Sequence, residues 1–539
     1  MQRPFLTYAV ITLCGLATIL GWAWPNRPQA GDVTMPGAKF ASVSYAPYRA
    51  WQSPLTKSFP DAAEVAQDLA LVAKHAEGIR TYSALEGDYD IGALAKQAGL
   101  HVWLGIWLGS DLASNQREMA AGIAEANKHP HTITRVIVGN EVLLRRDLSV
   151  DALIADIDQV RAQVKQPVAY ADVAKFWLEF PQVAPHVDVV MIHLLPYWEN
   201  HPFNVDSAIS HAAATIDQVK AKFPGKIIAV GETGWPSRGR QRQGAVASRV
   251  NEAIFIRKFV SLADKDHIDT NIIEAFDQIW KANDEGTAGA NWGIWNAQRV
   301  LKFPLNGPVI EHPHWPDYVG IAIISGLALF AVGGMFSPGM ALLAFALGNA
   351  LAYAWAFTVP VIYDDYLWAG ALINLPAQMI LALFAMRRFA GGQRTQVSGA
   401  QTTQLVRSLL LWRVPRGFWR DWPGRAFDDL TFLFLWAAAV TQLMLAFDPR
   451  YRDAPLAVFA VPVVISGWRL LKRDFPGRGG WEEWVAGGAL TACALVSFYI
   501  EGPLNHEFII WNALALLLAA PYGAGILNNR VSPKSSVTN

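Results

Sequence analysis

Apolar positions fall into three regimes along the chain. Residues 6–24 (LTYAVITLCGLATILGWAW) form one uncharged run preceded by Arg3. A helix of about 20 apolar residues crosses a hydrocarbon core of roughly 30 Å, so this run predicts a spanning helix. A cleaved signal peptide is the competing reading. No small-x-small cleavage site follows the run, and Trp22 and Trp24 stand where interfacial anchors sit, so an uncleaved anchor is preferred. Residues 25–312 mix charges with Gly/Pro turns and read as a soluble domain. From Trp315 onward apolar runs recur near 318–336, 339–361, 366–386, 428–447, 454–471, 483–500 and 507–526. These are seven further candidate spans, eight with the first. The predicted divisions are therefore 1–30 (anchor), 31–312 (soluble domain) and 313–539 (multi-span region).

Within the soluble stretch, short apolar runs alternate with helical patterns. Strands are expected at 39–45, 78–82, 101–107, 134–140, 167–171, 187–193, 226–231 and 271–277. Between them lie segments such as 61–76 (DAAEVAQDLALVAKHA), with an acidic first turn and apolar residues three and four apart. Eight strands separated by helices in about 260 residues predict an α/β protein, a (β/α)8 barrel.

Charge sharpens the membrane reading. Lys plus Arg and Asp plus Glu are both 45, and hydrophobic residues make up 52%. That balance excludes a disordered chain and binding to nucleic acid through overall charge. The zero net charge is nonetheless sorted. With Arg3 cytoplasmic, eight crossings put both termini in the cytoplasm and the soluble domain on the far side. The loop 387–427 then falls inside with Arg387, Arg388, Arg394, Arg407, Arg413, Arg416, Arg420 and Arg425. Arg469, Lys472, Arg473, Arg478, Arg530 and Lys534 join them. Arg450 and Arg452 run against this bias. The expectation is a multi-pass protein of a bacterial-type inner membrane with its barrel in the periplasm. The two cysteines, Cys14 and Cys493, both sit in apolar runs, so no disulfide framework or cysteine zinc site is available. No cofactor or metal is expected, and His129 and His131, flanking Pro130, are expected to be loop residues.

In such barrels chemistry gathers at the C-terminal strand ends. The fourth strand ends in RVIVGNEVLLR, which brings Asn140 and Glu141 to the mouth; the seventh ends in KIIAVGETGWPS, which brings Glu232 there. A glycine just before each lets the backbone approach a ligand closely. A lone strand-end glutamate is usually a cap or a salt-bridge partner. Two at corresponding ends match the acid and the nucleophile that glycosidic cleavage needs. Asn140 is placed to hydrogen-bond a sugar hydroxyl. Trp103, Trp107, Trp177, Tyr197, Trp198, Trp235, Trp280, Trp292 and Trp295 lie in or after the strands. Each is a candidate either for the core or for stacking on the C–H face of a sugar.

These residues resemble glycoside hydrolase family 17, the β-1,3-glucanase family. VGNE (138–141) is similar to its acid/base motif and GETGWPS (231–237) to its nucleophile motif. SYAPYR (44–49), IRTYS (79–83), LLPYW (194–198), FDQIWK (276–281) and WGIW (292–295) extend the resemblance over nearly all of 38–300. The resemblance implies Glu141 as general acid/base and Glu232 as nucleophile of a retaining enzyme on laminarin-type glucan. It further implies substrate-site roles for Tyr45, Arg80, Tyr82, Trp107, Asn140, Tyr197, Trp198, Trp235, Trp280 and Lys281. Tyr197 looks like the tyrosine near the nucleophile, and Lys281 like the lysine that holds the site. Plant members usually have FDExWK; Gln278 departs from it.

A covalent glucosyl–Glu232 ester resolved by water gives hydrolysis; resolved by a sugar hydroxyl it gives a new bond. Eight spans suit remodelling of an exported glucan better than degradation, so a glucanosyltransferase that extends, branches or cyclises periplasmic β-glucan is preferred over an endo-1,3-β-glucanase. The expected partners are a β-1,3-glucan donor, a glucan acceptor and membrane lipid. The alternative from another class is a non-catalytic glucan-binding scaffold attached to a channel. The loop LVRSLLLWRVPRGFWRDWPGR (405–425) interleaves arginine with tryptophan and leucine. It reads as an interfacial segment on anionic headgroups, a docking surface for a glucan synthase being the second reading. Charged residues well inside the spans are scarce, so no ion relay is expected.

Overall fold

The computed structural model describes residues 2–30, 35–37, 39–391, 397–475 and 481–531. Arg394, Arg478 and Lys534 lie outside the described residues. The chain forms two compact units, Pro28–Glu311 and a second made of Met1–Arg27 with His312–Asn539.

Pro28–Glu311 is a closed barrel of eight parallel strands in sequence order. They are β1 (Ser42–Ser44), β2 (Gly78–Arg80), β3 (His101–Ile106), β4 (Ile133–Asn140), β5 (Val168–Val173), β6 (Val189–Leu194), β7 (Ile227–Thr233) and β8 (Thr270–Ile272). All eight expected strands are present, with helices between them. The helix Ala62–Val72 shows why this sequence forms one. Asp61 caps its first turn and Glu64 reaches back, while Val65, Leu69 and Val72 face the core. Inside the barrel, Trp103, Ile137, Ala169, Ala171, Val189, Met191 and Ala229 form one buried cluster. Trp103 pairs in register with Arg135, three residues into β4. It therefore fills the N-terminal half of the barrel, where the Arg135 guanidinium stacks on it at 4.4 Å.

In the second unit, seven helices among the described residues are long and apolar enough to cross a membrane: Pro4–Ala23, Trp315–Gly333, Pro338–Val361, Asp365–Gly391, Phe418–Phe447, Trp481–Glu501 and His506–Ala524. The eighth expected span, 454–471, differs. A short 3-10 turn precedes a helix of only 13 residues, Ala460–Lys472, about 20 Å long. Where the turn meets that helix, side chains from Asp365–Gly391 hydrogen-bond the backbone. Asn374 donates to the Val458 carbonyl at 3.1 Å. Gln378 donates to the Ala457 carbonyl at 3.0 Å and accepts from the Val461 amide. Irregular backbone is tolerated in a bundle where protein satisfies it in this way.

A charge network that the sequence did not suggest gathers where three helices end or begin. Arg388 meets Asp474 at 3.1 Å and Asp428 at 3.4 Å, and Arg469 stands 3.9 Å from Asp428. Arg425 and Thr402 both hydrogen-bond Asp429 at 2.7 Å. In the 405–425 segment Trp412 is 94% and Trp419 78% exposed.

Candidate active site

Consecutive strand residues point to opposite faces, so Asn140 and Glu141 cannot both face the barrel axis from regular β4. They do both face it. Arg80 Nη2 donates to Asn140 Oδ1 at 2.5 Å, and His193 Nδ1 lies 2.7 Å from Glu141 Oε1. The backbone makes this possible. Gly139 has φ +84° and Glu141 φ +54°, and the β4–β5 register shifts between Ile137 and Asn140. A left-handed non-glycine residue is uncommon and concentrates at functional sites. Tyr170 hydroxyl accepting from the Leu143 amide, and Arg145 reaching the carbonyls of Asn140 and Leu108, hold this turn.

The end of β7 is irregular too, its register with β6 shifting between Ile192 and His193. Here Gly231 serves a protein contact and not a ligand. A Cβ there would meet Met191 Cγ at 2.7 Å and Arg80 Nη1 at 3.2 Å. Without it, Arg80 Nη1 reaches the Gly231 carbonyl at 2.7 Å and Glu232 Oε1 at 3.1 Å. Tyr82 hydroxyl donates to the same Oε1 at 2.9 Å.

The two glutamates thus converge on one imidazole. An oxygen of Glu141, an oxygen of Glu232 and a ring nitrogen of His193 lie within 4.8 Å of one another. Burial pushes the Glu141 carboxyl up, but the hydrogen bond from His193, with Arg145 and Arg80 nearby, outweighs it and leaves it below the ordinary carboxylate value. Asp172, fully buried at the end of β5, is pushed up to about 6 by burial, against the hydrogen bond from Tyr170. Burial, and then the charge of Glu232, push the Tyr82 phenol well above its usual range, so it remains a donor.

Beside Glu232 stands a third carboxylate, Glu274, at the end of β8. It is fully buried, and both its oxygens meet Lys281 Nζ, at 2.9 and 3.0 Å. Burial pushes it up to about 7 despite Lys281. Lys281 has to overcome its own burial, and the charges of Glu274 and Glu285 hold it protonated above the usual lysine range.

The aromatic candidates separate by depth. Trp177, Trp235 and Trp295 are core residues; the indole of Trp177 donates to the Met191 carbonyl and that of Trp235 to Val246. Tyr45 is buried against Phe276. Tyr197 is buried among Trp198, Trp235 and Trp292, and its hydroxyl donates to the Arg240 carbonyl. The hydroxyl that meets Glu232 is that of Tyr82. Half-buried Trp198 stacks on Trp292 with centroids 6.1 Å apart, and the Arg242 guanidinium lies 5.2 Å from its ring. Trp107 is 38% exposed under Arg145. Trp280 donates to Gln278 Oε1 at 2.9 Å, and Gln278 Nε2 in turn anchors the Ala46 carbonyl at 2.8 Å. The departure from FDExWK therefore holds loops together. His129 sits against Asp90 at 2.8 Å on the barrel exterior.

Sequence reasoning missed His193, Asp172 and Glu274. All three lie within two residues of a strand's C-terminal end, which is the criterion that found Glu141 and Glu232.

A closed (β/α)8 barrel with carboxylates gathered at its C-terminal strand ends is an architecture that glycoside hydrolases use. Residues 42–293 match the family model of the BtgE/BtgC glycoside hydrolase domain. The chain is similar to a glucan 1,3-β-glucosidase of Candida albicans, 26% identical over 262 residues, covering 44% of this chain and 85% of that one. It is also similar to one of Schizosaccharomyces pombe, 28% identical over 255 residues, covering 44% and 79%. A solved family 17 β-1,3-glucanosyltransferase of Rhizomucor miehei is 26% identical, covering 49% of this chain and 97% of that one, with a TM-score of 0.44.

Proposed function

We propose that this protein is a membrane-embedded retaining enzyme acting on β-1,3-glucan, and that it transfers glucan in preference to hydrolysing it. The observation that carries the reading is the separation of the two carboxylates, one oxygen of each lying within 4.8 Å of the other and of a ring nitrogen of His193. Double displacement needs about 5–5.5 Å between the groups; inversion needs room for an intervening water. Glu141 protonates the glycosidic oxygen while Glu232 attacks the anomeric carbon. The C–O bond to the leaving glucan breaks and a glucosyl ester forms. Glu141, now ionised, takes a proton from an acceptor hydroxyl, whose oxygen displaces Glu232. Arg80 and Tyr82 both hold Glu232 through Oε1, which turns Oε2 toward the donor.

Two features favour transfer. The long apolar helices suit an enzyme working on glucan at the membrane, and Trp198, stacked on Trp292, offers a platform for an acceptor sugar. With the 3-10 turn and short helix over 457–472 together making the eighth crossing, the arginine-rich segments support cytoplasmic termini and a barrel on the periplasmic side of a bacterial inner membrane. Incubating the full chain in detergent with a β-1,3-oligosaccharide tests the reading. Products longer than or branched from the substrate mean transfer, and shorter products alone mean hydrolysis. No turnover by wild type, or turnover retained by Glu232→Gln, overturns the enzyme assignment. Trp198→Ala should raise hydrolysis relative to transfer, and an unchanged ratio removes the acceptor role.

A further inference from the structure

The position of one proton follows from the hydrogen bonds around His193. Arg80 has donors only, and its Nη1 lies 3.3 Å from His193 Nε2. A proton on Nε2 would face that guanidinium, and Glu232 Oε1, at 3.6 Å, is beyond good hydrogen-bond range. The lone pair therefore sits on Nε2 and the proton on Nδ1, where it points at Glu141 Oε1, 2.7 Å away. Glu141 Oε1 is then an acceptor, and any proton that Glu141 carries must sit on Oε2.

We propose that His193 is a positioning residue whose Nδ1–H, turned toward Glu141 by the packing of Arg80 against Nε2, confines the transferable proton of Glu141 to Oε2. The idea rests on Glu141 being the acid/base. When Glu141 is protonated, the Nδ1–H holds the carbonyl-like oxygen and aims the hydroxyl at the glycosidic oxygen. Once the proton has moved, the same N–H stabilises the carboxylate that serves as base. The other charged groups around the dyad are Arg80 from β2, Arg145 after β4, Asp172 from β5, Glu232 from β7 and Glu285.

Asparagine can present an amide N–H near the position of Nδ1; leucine cannot. The test compares His193→Asn and His193→Leu in the full chain on two substrates. One is a β-1,3-oligosaccharide, whose leaving alcohol needs an acid; the other is a dinitrophenyl β-1,3-diglucoside, whose leaving group does not. Acid assistance accounts for roughly 10²–10⁴-fold. His193→Leu should lose about 100-fold in kcat/KM on the oligosaccharide and under about tenfold on the dinitrophenyl glycoside, while His193→Asn stays within about tenfold on both. Losing a donor to the carboxylate favours its neutral form, so the alkaline limb of the kcat/KM profile should move to higher pH in His193→Leu and remain in place in His193→Asn. Equal losses on both substrates, or limbs that shift equally in both variants, overturn the proposal; the latter would mean that His193 acts by charge. Glu141→Gln is the separate control. If it keeps oligosaccharide activity, the acid/base reading itself fails, whatever His193 does.

Discussion

Lys281→Met tests how the barrel tolerates its third carboxylate. Glu274 is fully buried, and Lys281 Nζ, with 15% of its side chain exposed, holds both its oxygens. Removing one partner of a buried pair strands the other, at about 3–5 kcal/mol. The cost depends on pH in a direction the site fixes. Burial already raises Glu274 to about 7, above its unfolded value of about 4.3. An acid raised on folding destabilises the protein progressively as pH climbs from the unfolded value to the folded one. Without Lys281 the folded value rises further, so the variant goes on losing stability above pH 7, where wild type has stopped. At pH 5 Glu274 is largely protonated in both proteins, and the difference should shrink to about 1 kcal/mol, the worth of the lost hydrogen bonds. At pH 9 it should reach about 3–5 kcal/mol. Hydrogen-exchange protection of the peptide 270–281 in the full chain reads this locally. The double variant Glu274→Gln/Lys281→Met removes the titrating group and should show no such pH dependence. Equal destabilisation of Lys281→Met at pH 5 and pH 9 refutes the reasoning.

Other expectations follow from single contacts. Asp172→Asn should flatten the stability–pH profile of the barrel between about 4 and 6, because the raised Asp172 costs wild type about 3 kcal/mol as pH rises through that interval; an unchanged slope in hydrogen exchange contradicts it. Gly231→Ala forces a Cβ to within 2.7 Å of Met191 and should cost about 1–3 kcal/mol. Adding Met191→Ala should relieve the clash with the side chain but not restore activity, since Arg80 is displaced as well; recovered activity would mean that Gly231 matters only for packing. Gln378→Leu orphans the Ala457 carbonyl and the Val461 amide and should lower bundle stability by about 1–3 kcal/mol per group. Faster exchange confined to 456–463 is the expected signature.

The barrel was legible because each strand is a short β-branched run bounded by turn residues, each helix carries an apolar stripe, and the alternation repeats eight times. The carboxylates were legible because VGNE and GETG each place a charge directly after such a run. His193 was not, because MIHLL reads as one more buried strand and a single histidine on an apolar face is usually a core residue. Only the convergence of β2, β4 and β7 on its two nitrogens gives it chemistry. The aromatic residues failed for the opposite reason. Spacing placed every tryptophan near a strand, but depth decides use, and depth depends on what packs above. Trp235 and Trp177 carry Tyr197 and Tyr170, while Trp198 and Trp107 remain reachable. Ala460–Lys472 escaped for a third reason. Hydropathy averages over a window and cannot see where a helix begins inside an apolar run.

The glycines that precede both glutamates acquire a different explanation from the one their motif suggested. An unbroken β4 would send Asn140 and Glu141 to opposite faces and leave Arg80 or His193 without its partner. The left-handed turn at Gly139 and Glu141 restores both contacts at the cost of backbone strain of order 1–3 kcal/mol. At β7 the missing Cβ of Gly231 admits Arg80, and Arg80 alone touches Gly231, Glu232, Asn140 and His193. One buried guanidinium therefore contacts the side chains of Glu232, Asn140 and His193 together and fixes how they face one another. The strain is confined to the strand ends and the order to a fixed hydrogen-bond network, so the geometry exists before substrate arrives, which is the condition under which such groups accelerate a reaction. On this reasoning the glycine at each strand end serves the arrangement of the two carboxylates, and the sugar meets a site already assembled.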